Sequence, residues 1–201
     1  MTRPRRRRGL PDHIRPGARV LFVGINPGLR SAAVGHHFAG HSNRFWRLMH
    51  ESGLLPDRLS HEDDALLPGY GYGITNLVSR ATAGIDSLRA EEYTRGRRAL
   101  LGRIRRHRPE IVALVGLTIY RALFPDARRR GGRKPPRPLR PGLQRETLAG
   151  SDVFVLPNPS GRNATLSYAA MLAAFRRLKR YLGRTTPCVP GRTGPAAARR
   201  A

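Results

Sequence analysis

The sequence predicts a three-layer α/β/α domain around a central, mostly parallel sheet. Three observations carry that expectation. Short β-branched and aromatic runs end at glycine or in loops rich in Asn and Pro. Longer stretches with apolar residues at helical spacing lie between them. The two kinds alternate from Ala18 to Leu182, the pattern of strands crossed over by helices.

In order, Ala18–Gly24 (ARVLFVG) reads as a buried strand ending at glycine. Ser42 is placed to cap a helix in which Phe45, Leu48 and Met49 recur at helical spacing up to Gly53. Tyr72–Val78 reads as a second strand. From Ser87 to His107, Tyr93, Leu100, Leu101 and Ile104 mark one apolar helix face and arginines fill the others. Pro109 closes that helix, and Glu110–Gly116 is a third strand. A short helix spans Ile119 to Phe124. Asp152–Leu156 is a fourth strand, hairpinned with Gln144–Leu148. The last helix starts near Thr165 and carries Tyr168, Met171, Leu172, Phe175, Leu178 and Leu182 on one stripe.

Charge bears on partners more than on fold. Among 201 residues, 38 are Lys or Arg and 13 are Asp or Glu, a net charge of +25. Only Lys134 and Lys179 are lysines. A codon bias would account for arginine over lysine, but less well for so few acids. The simplest partner is a polyanion, nucleic acid. Residues 1–17 and 184–201 read as basic disordered tails flanking one domain over 18–183. Residues 127–142, with Arg128-Arg129-Arg130 and four prolines, read as an exposed basic loop within it.

Several classes are excluded. No apolar run approaches the ~18 residues of a membrane span. Nor does an apolar core follow Arg5–Arg8 to make a secretory signal. The single cysteine, Cys188, cannot form an internal disulfide, a clustered zinc site or an iron–sulfur centre. The P-loop, GxGxxG and GxSxG patterns are absent. His36, His37 and His41 have Gly40 among them and no nearby carboxylate in sequence, so no metal is expected there. Glu62-Asp63-Asp64 reads as the acidic first turn of a short helix. A soluble protein of a reducing compartment follows: cytoplasmic, at a bacterial nucleoid, or nuclear, and not secreted.

In open α/β sheets, functional groups gather in loops at the carboxyl ends of strands. Two such loops combine Gly and Pro with Asn or Ser: Gly24–Leu29 after the first strand and Pro157–Asn163 after the fourth. They offer amides and hydroxyls, with no carboxylate. Chemistry there must orient water and stabilise an anionic leaving group.

Gly24-Ile25-Asn26-Pro27-Gly28, Phe38 with Asn43-Arg44-Phe45-Trp46, Thr75-Asn76-Leu77-Val78 and Asn158-Pro159-Ser160-Gly161 occur in this order. Together they resemble the mismatch-specific uracil/thymine-DNA glycosylase family, within the uracil-DNA glycosylase superfamily. The resemblance covers about Ala18 to Leu182. It implies hydrolysis of the N-glycosidic bond of uracil, and of thymine or ethenocytosine, mispaired with guanine in double-stranded DNA. The base would be flipped out of the duplex first. It also implies a monomer in base excision repair, with no cofactor and no metal.

The resemblance assigns Asn26 to hold the attacking water. Backbone N–H groups of Ile25 and Phe38 would face the leaving pyrimidine anion, and Phe38 would stack on the base. Gly28, Ser31 and Asn76 match positions around the pyrimidine, and Thr82 a position near the water. Arg44, Pro159, Ser160, Gly161, Arg162 and Asn163 would meet DNA. Trp46 and Phe45 read as packing. Relatives often carry an apolar wedge at the place of Arg162 and an Arg at the place of Ala164, so this chain departs from the pattern that reads the opposite guanine. Three other readings stand beside this one: a broad uracil-DNA glycosylase, a basic protein that binds damaged DNA without cutting, and a small-molecule nucleoside hydrolase.

Overall fold

The computed structural model describes residues 9–125, 139–161 and 166–185. Five strands, β1 (Val20–Gly24), β2 (Tyr72–Asn76), β3 (Ile111–Val115), β4 (Gly142–Leu148) and β5 (Ser151–Leu156), form one sheet in the order β2-β1-β3-β5-β4. The β1–β2, β1–β3 and β3–β5 pairs are parallel, and β4 closes the far edge antiparallel to β5. The helices are α1 (Leu29–Val34), α2 (Phe45–Glu51), α3 (Ala90–His107), α4 (Leu117–Leu123) and α5 (Tyr168–Thr185). The three-layer expectation holds.

Alternation along the strands explains the layers. Val20, Phe22, Ile111, Ala113, Phe154 and Leu156 face one side, where Phe45, Leu48, Met49, Met171, Phe175 and Leu178 of α2 and α5 cover them. Leu21, Val23, Val112, Leu114, Val153 and Val155 face the other, against Leu100 and Ile104 of α3 and Ile119 and Leu123 of α4. The parallel strands are buried on both faces, and β1 and β3 are buried throughout. Because β2 lies on one side of β1 and β3 on the other, the sheet opens a crevice at the carboxyl end of β1.

The structure corrects several expectations. Helix α1 was not foreseen; its six residues are too few for a periodic signal. Helix α2 begins at Phe45 and its N-cap position is Arg44, not Ser42; Arg44 offers no side-chain cap, and Asn43 Oδ1 just before it accepts from the Phe45 N–H at 2.9 Å. β2 ends at Asn76, after which the Leu77 and Val78 N–H groups donate to the Gly24 and Ile25 carbonyls, both at 2.8 Å. The Ser87–His107 stretch divides into a 3₁₀ turn at Ile85–Ser87 and α3. The acidic run opens a 3₁₀ helix, His61–Tyr70, capped reciprocally by Ser60 and Asp63.

The largest correction concerns residues 9–17, expected as part of a tail. His13 exchanges both backbone hydrogen bonds with Ile74, at 3.1 and 2.9 Å, along the otherwise open edge of β2. Asp12 accepts from the Thr75 hydroxyl and from Arg103 Nε, the latter at 2.5 Å. The unpaired strand edge and the Asp12 carboxylate bind this segment down, where net charge alone suggested disorder. Residues 1–8, most of the 127–142 loop, and 186–201 lie outside the described residues, and α5 carries the domain to Thr185.

Gly96, inside α3, marks the tightest helix approach. A Cβ there would run into the Leu77 carbonyl oxygen. Alanine normally strengthens a helix interior by ~1 kcal/mol over glycine. Here Gly96→Ala is expected to destabilise by about 1–3 kcal/mol, since backbone must move. Urea unfolding of the two proteins measures it.

Candidate active site

Three loops meet at the head of β1: residues 25–28, residues 77–84 after β2, and residues 36–39 after α1. The first presents Asn26, half-buried. Its Nδ2 donates to the Thr82 hydroxyl at 2.7 Å, with the Arg80 carbonyl at 3.0 Å and the Pro27 carbonyl at 3.2 Å. Thr82 gives its own hydroxyl proton to the Gly84 carbonyl at 2.7 Å, so its lone pairs are left to accept from Asn26. The nitrogen end of the Asn26 amide is thus held by protein. Among the described residues, Oδ1 makes no hydrogen bond.

The 77–84 loop is itself anchored. Thr82 N–H donates to the Pro27 carbonyl at 3.1 Å. Arg80 reaches Glu92 of α3 through Nε and a second nitrogen, each at 2.7 Å. That guanidinium, with the Arg89 N–H, holds the Glu92 carboxyl down at about 2. Glu92 is therefore charged at any pH where the domain works.

Phe38 lies on the next loop, at φ +54°, a left-handed conformation uncommon for an aromatic residue. Its ring stacks on Phe45 with centroids 4.1 Å apart and planes at 19°, and Phe38 is only partly buried. Neighbouring amides are used internally: His36 N–H donates to the Ser31 carbonyl, His37 N–H to Asp64 Oδ2 and Ala39 N–H to Ser31 Oγ. Among the described residues, the Phe38 and Ile25 N–H groups make no hydrogen bond. Two free donors therefore accompany one aromatic face, the components an anionic planar group needs.

Asn76 ends β2 directly beside Gly24 of β1. A Cβ on Gly24 would stand 2.6 Å from Asn76 Oδ1 and 3.3 Å from Phe38 Cζ. Glycine is required there so that the amide and the ring can meet over the strand end. Asn76 and Phe38 thus meet at Gly24, immediately before Ile25 and Asn26 in the chain, and Thr82 is held against Asn26. Gly28 is exposed at the start of α1 and pairs with Thr82. Ser31 is buried, and its hydroxyl accepts the Ala39 N–H at 3.0 Å, which ties it to the loop that carries Phe38.

The Asn43–Trp46 motif works as a clasp. Arg44 N–H donates to the Pro159 carbonyl at 3.0 Å, and Trp46 Nε1 donates to the His37 carbonyl at 3.1 Å. Gly161 presses so closely on Ser42 that a Cβ there would overlap its side chain. The Arg44 guanidinium lies 3.9 Å from Met171 Sδ, folded toward α5. Asn158 Oδ1 accepts the Ser160 N–H at 3.1 Å and stiffens the loop. Arg162 and Asn163 lie outside the described residues.

A histidine–aspartate cluster behind Phe38 was missed in the sequence. His13, His37 and Asp64 bring ligand-type atoms within 4.8 Å of one another, and Asp64 is buried at 1 % exposure. Asp64 Oδ1 faces His36 Nδ1 at 3.1 Å and His13 Nε2 at 3.4 Å. Both ring nitrogens of His37 are engaged by protein, Nε2 by the Pro11 carbonyl at 2.9 Å and Nδ1 by Asn76 Nδ2 at 3.2 Å. The group joins three distant segments by hydrogen bonds, which adjacent histidines in a sequence could not reveal.

A two-sided α/β sheet thus carries amides, a hydroxyl and an aromatic ring together at the head of its first strand. The family model of the uracil DNA glycosylase superfamily matches residues 11–193, and the chain belongs to that superfamily. The fold is also similar to a solution NMR structure of a candidate uracil DNA glycosylase from Methanosarcina acetivorans. The TM-score is 0.56 at 18% identity, covering 86% of this chain and 98% of that one.

Thr82→Val keeps the shape and removes the hydroxyl that faces Asn26. In single-turnover excision assays the rate is expected to fall about tenfold, corresponding to ~1.4 kcal/mol, with DNA affinity unchanged.

Proposed function

We propose that this protein removes uracil from double-stranded DNA by flipping the nucleotide and hydrolysing its glycosidic bond. One observation carries the reading. The Asn26 amide is held by its nitrogen end, which leaves Oδ1 to accept a hydrogen bond from water beside a stacking face and two free N–H groups.

The chemistry follows from what such a site lacks. A carboxamide is no strong base, so water cannot be deprotonated ahead of bond cleavage. The C1′–N1 bond breaks first and its electron pair leaves with the base. The Ile25 and Phe38 N–H groups stabilise that anion while Phe38 stacks on the ring. Water held by Asn26 then adds to C1′ and a proton passes to the released base. The products are free uracil and an abasic site.

The Asn158–Gly161 loop stands on the rim where the duplex would lie. We extend the proposal to a preference for bases mispaired with guanine, including thymine and ethenocytosine, with Arg162 in the gap left by the flipped nucleotide. An arginine there stacks and donates hydrogen bonds without the fixed shape of an apolar wedge, so reading of the opposite base is relaxed. The +25 charge supplies affinity for phosphates whatever the sequence.

Alkali scission of 5′-labelled duplexes carrying G·U, A·U, G·T or G·ethenocytosine tests the reading. Uracil is expected to be released from both pairs, faster from G·U. Asn26→Ala is expected to lose about 100-fold or more in rate while retaining DNA affinity. Tight binding with no excision of any base would instead establish a protein that recognises damage without cutting.

A further inference from the structure

We propose that Arg80 and Glu92 are positioning residues: their ion pair sets the place of the Arg80 carbonyl, and through it the direction of the Asn26 amide. The inference rests on the reading above, in which Asn26 Oδ1 holds the attacking water.

An arginine on a loop beside the cleft of so basic a chain would ordinarily be assigned to a DNA phosphate. The contacts of Arg80 argue otherwise. Its Nε donates to Glu92 Oε1 at 2.7 Å, and Nη2 donates to Glu92 Oε2 and to the Ser87 carbonyl, each at 2.7 Å. A fork so well matched to a carboxylate fixes the plane of the guanidinium. Glu92 is held in turn, since its Oε2 accepts the Arg89 N–H at 3.0 Å where α3 begins. Helix α3 meets the same loop at a second point, where Gly96 lies close against the Leu77 carbonyl. Residues 77 and 80 are thereby both referenced to one helix.

What the pair holds in place is backbone. The Arg80 carbonyl accepts from Asn26 Nδ2 at 3.0 Å, and Thr82, two residues on, accepts from the same nitrogen at 2.7 Å. A shift of the loop by about 1 Å would carry the first of these bonds out of range. The amide could then turn over and present its nitrogen, which cannot accept a hydrogen bond from water. The Arg80 side chain is 48 % exposed, and ion pairs so open to solvent contribute little to stability. Misplacing a reacting group by about 1 Å, in contrast, costs up to about 100-fold in rate. The weight of this pair therefore falls on the reaction and hardly on the fold.

The test is single-turnover excision of uracil from a G·U duplex by the wild type, Arg80→Ala, Arg80→Lys and Glu92→Gln. Arg80→Ala and Glu92→Gln are also combined with Asn26→Ala. Each single variant is expected to lower the maximal rate about tenfold, and Arg80→Ala to leave the half-saturating enzyme concentration within about twofold. Lysine is not expected to rescue, because a point charge cannot make the fork. In the Asn26→Ala background neither change is expected to lower the rate further, since the group they position is gone. Equal losses in both backgrounds mark a merely structural role and overturn the proposal. Weaker half-saturation at an unchanged maximal rate, rescued by lysine, marks a phosphate contact and overturns it too. ¹H–¹⁵N spectra of asparagine-labelled protein give a reading without turnover. The Asn26 side-chain pair, identified by its absence in Asn26→Ala, is expected to move toward free-amide positions in Glu92→Gln. A pair that does not respond overturns the proposal. No release of uracil by the wild type would instead overturn the glycosylase reading, and the spectra would still decide whether the ion pair sets the amide.

Discussion

The site depends on one constraint, the direction of the Asn26 amide. A carboxamide has two nearly isosteric ends, and only the oxygen can accept a hydrogen bond from water. Thr82 Oγ1, the Arg80 carbonyl and the Pro27 carbonyl all accept, so they can hold only the nitrogen. Because Thr82 donates its proton to Gly84, the arrangement has a single self-consistent set of donors and acceptors. Such a chain needs no reorganisation when substrate arrives, which is what electrostatic catalysis by neutral groups requires.

Around that amide the fold uses the same device repeatedly: loops are fixed by hydrogen bonds to other loops. Ser31 holds Ala39, Asp64 holds His37, and Trp46 holds the His37 carbonyl. Phe38 can then adopt positive φ with one ring face against Phe45. Phe45 is fully buried and also packs on Phe22 and Phe175, so the stacking platform is continuous with the core beneath it. Removing an aromatic ring at such a position costs about 3–5 kcal/mol. The site is thus stiff because the core is.

The strands and the long helices α3 and α5 were legible in the sequence because burial on both faces writes continuous apolar runs and amphipathic helices write stripes. The candidate site was legible in part: Asn26 and Asn76 sit in short motifs and Phe38 stands just before another, while Thr82 lies outside every motif and was matched by position alone. Other features were not legible, for physical reasons. Ser31 and Ser42 carry hydroxyls that suit a ligand or a helix cap, but the partners Ser31 uses are fixed by loop geometry. Asp64 looked like a helix-opening acid, and Asp63 next to it does serve as the cap. Its neighbour turns inward because three histidines from two distant segments meet there. The N-terminal segment reads as a charged tail until the open edge of β2 is known to need partners. Composition records charge, whereas pairing across about sixty residues belongs to tertiary structure.

The direction of the Asn26 amide is tested most directly by a crystal structure bound to duplex DNA carrying a non-hydrolysable 2′-fluoroarabino uridine opposite guanine. The account predicts an extrahelical uracil stacked on Phe38, with a water on Asn26 Oδ1 facing C1′. Asn26 presenting its nitrogen to C1′, or uracil still stacked within the duplex, would contradict it.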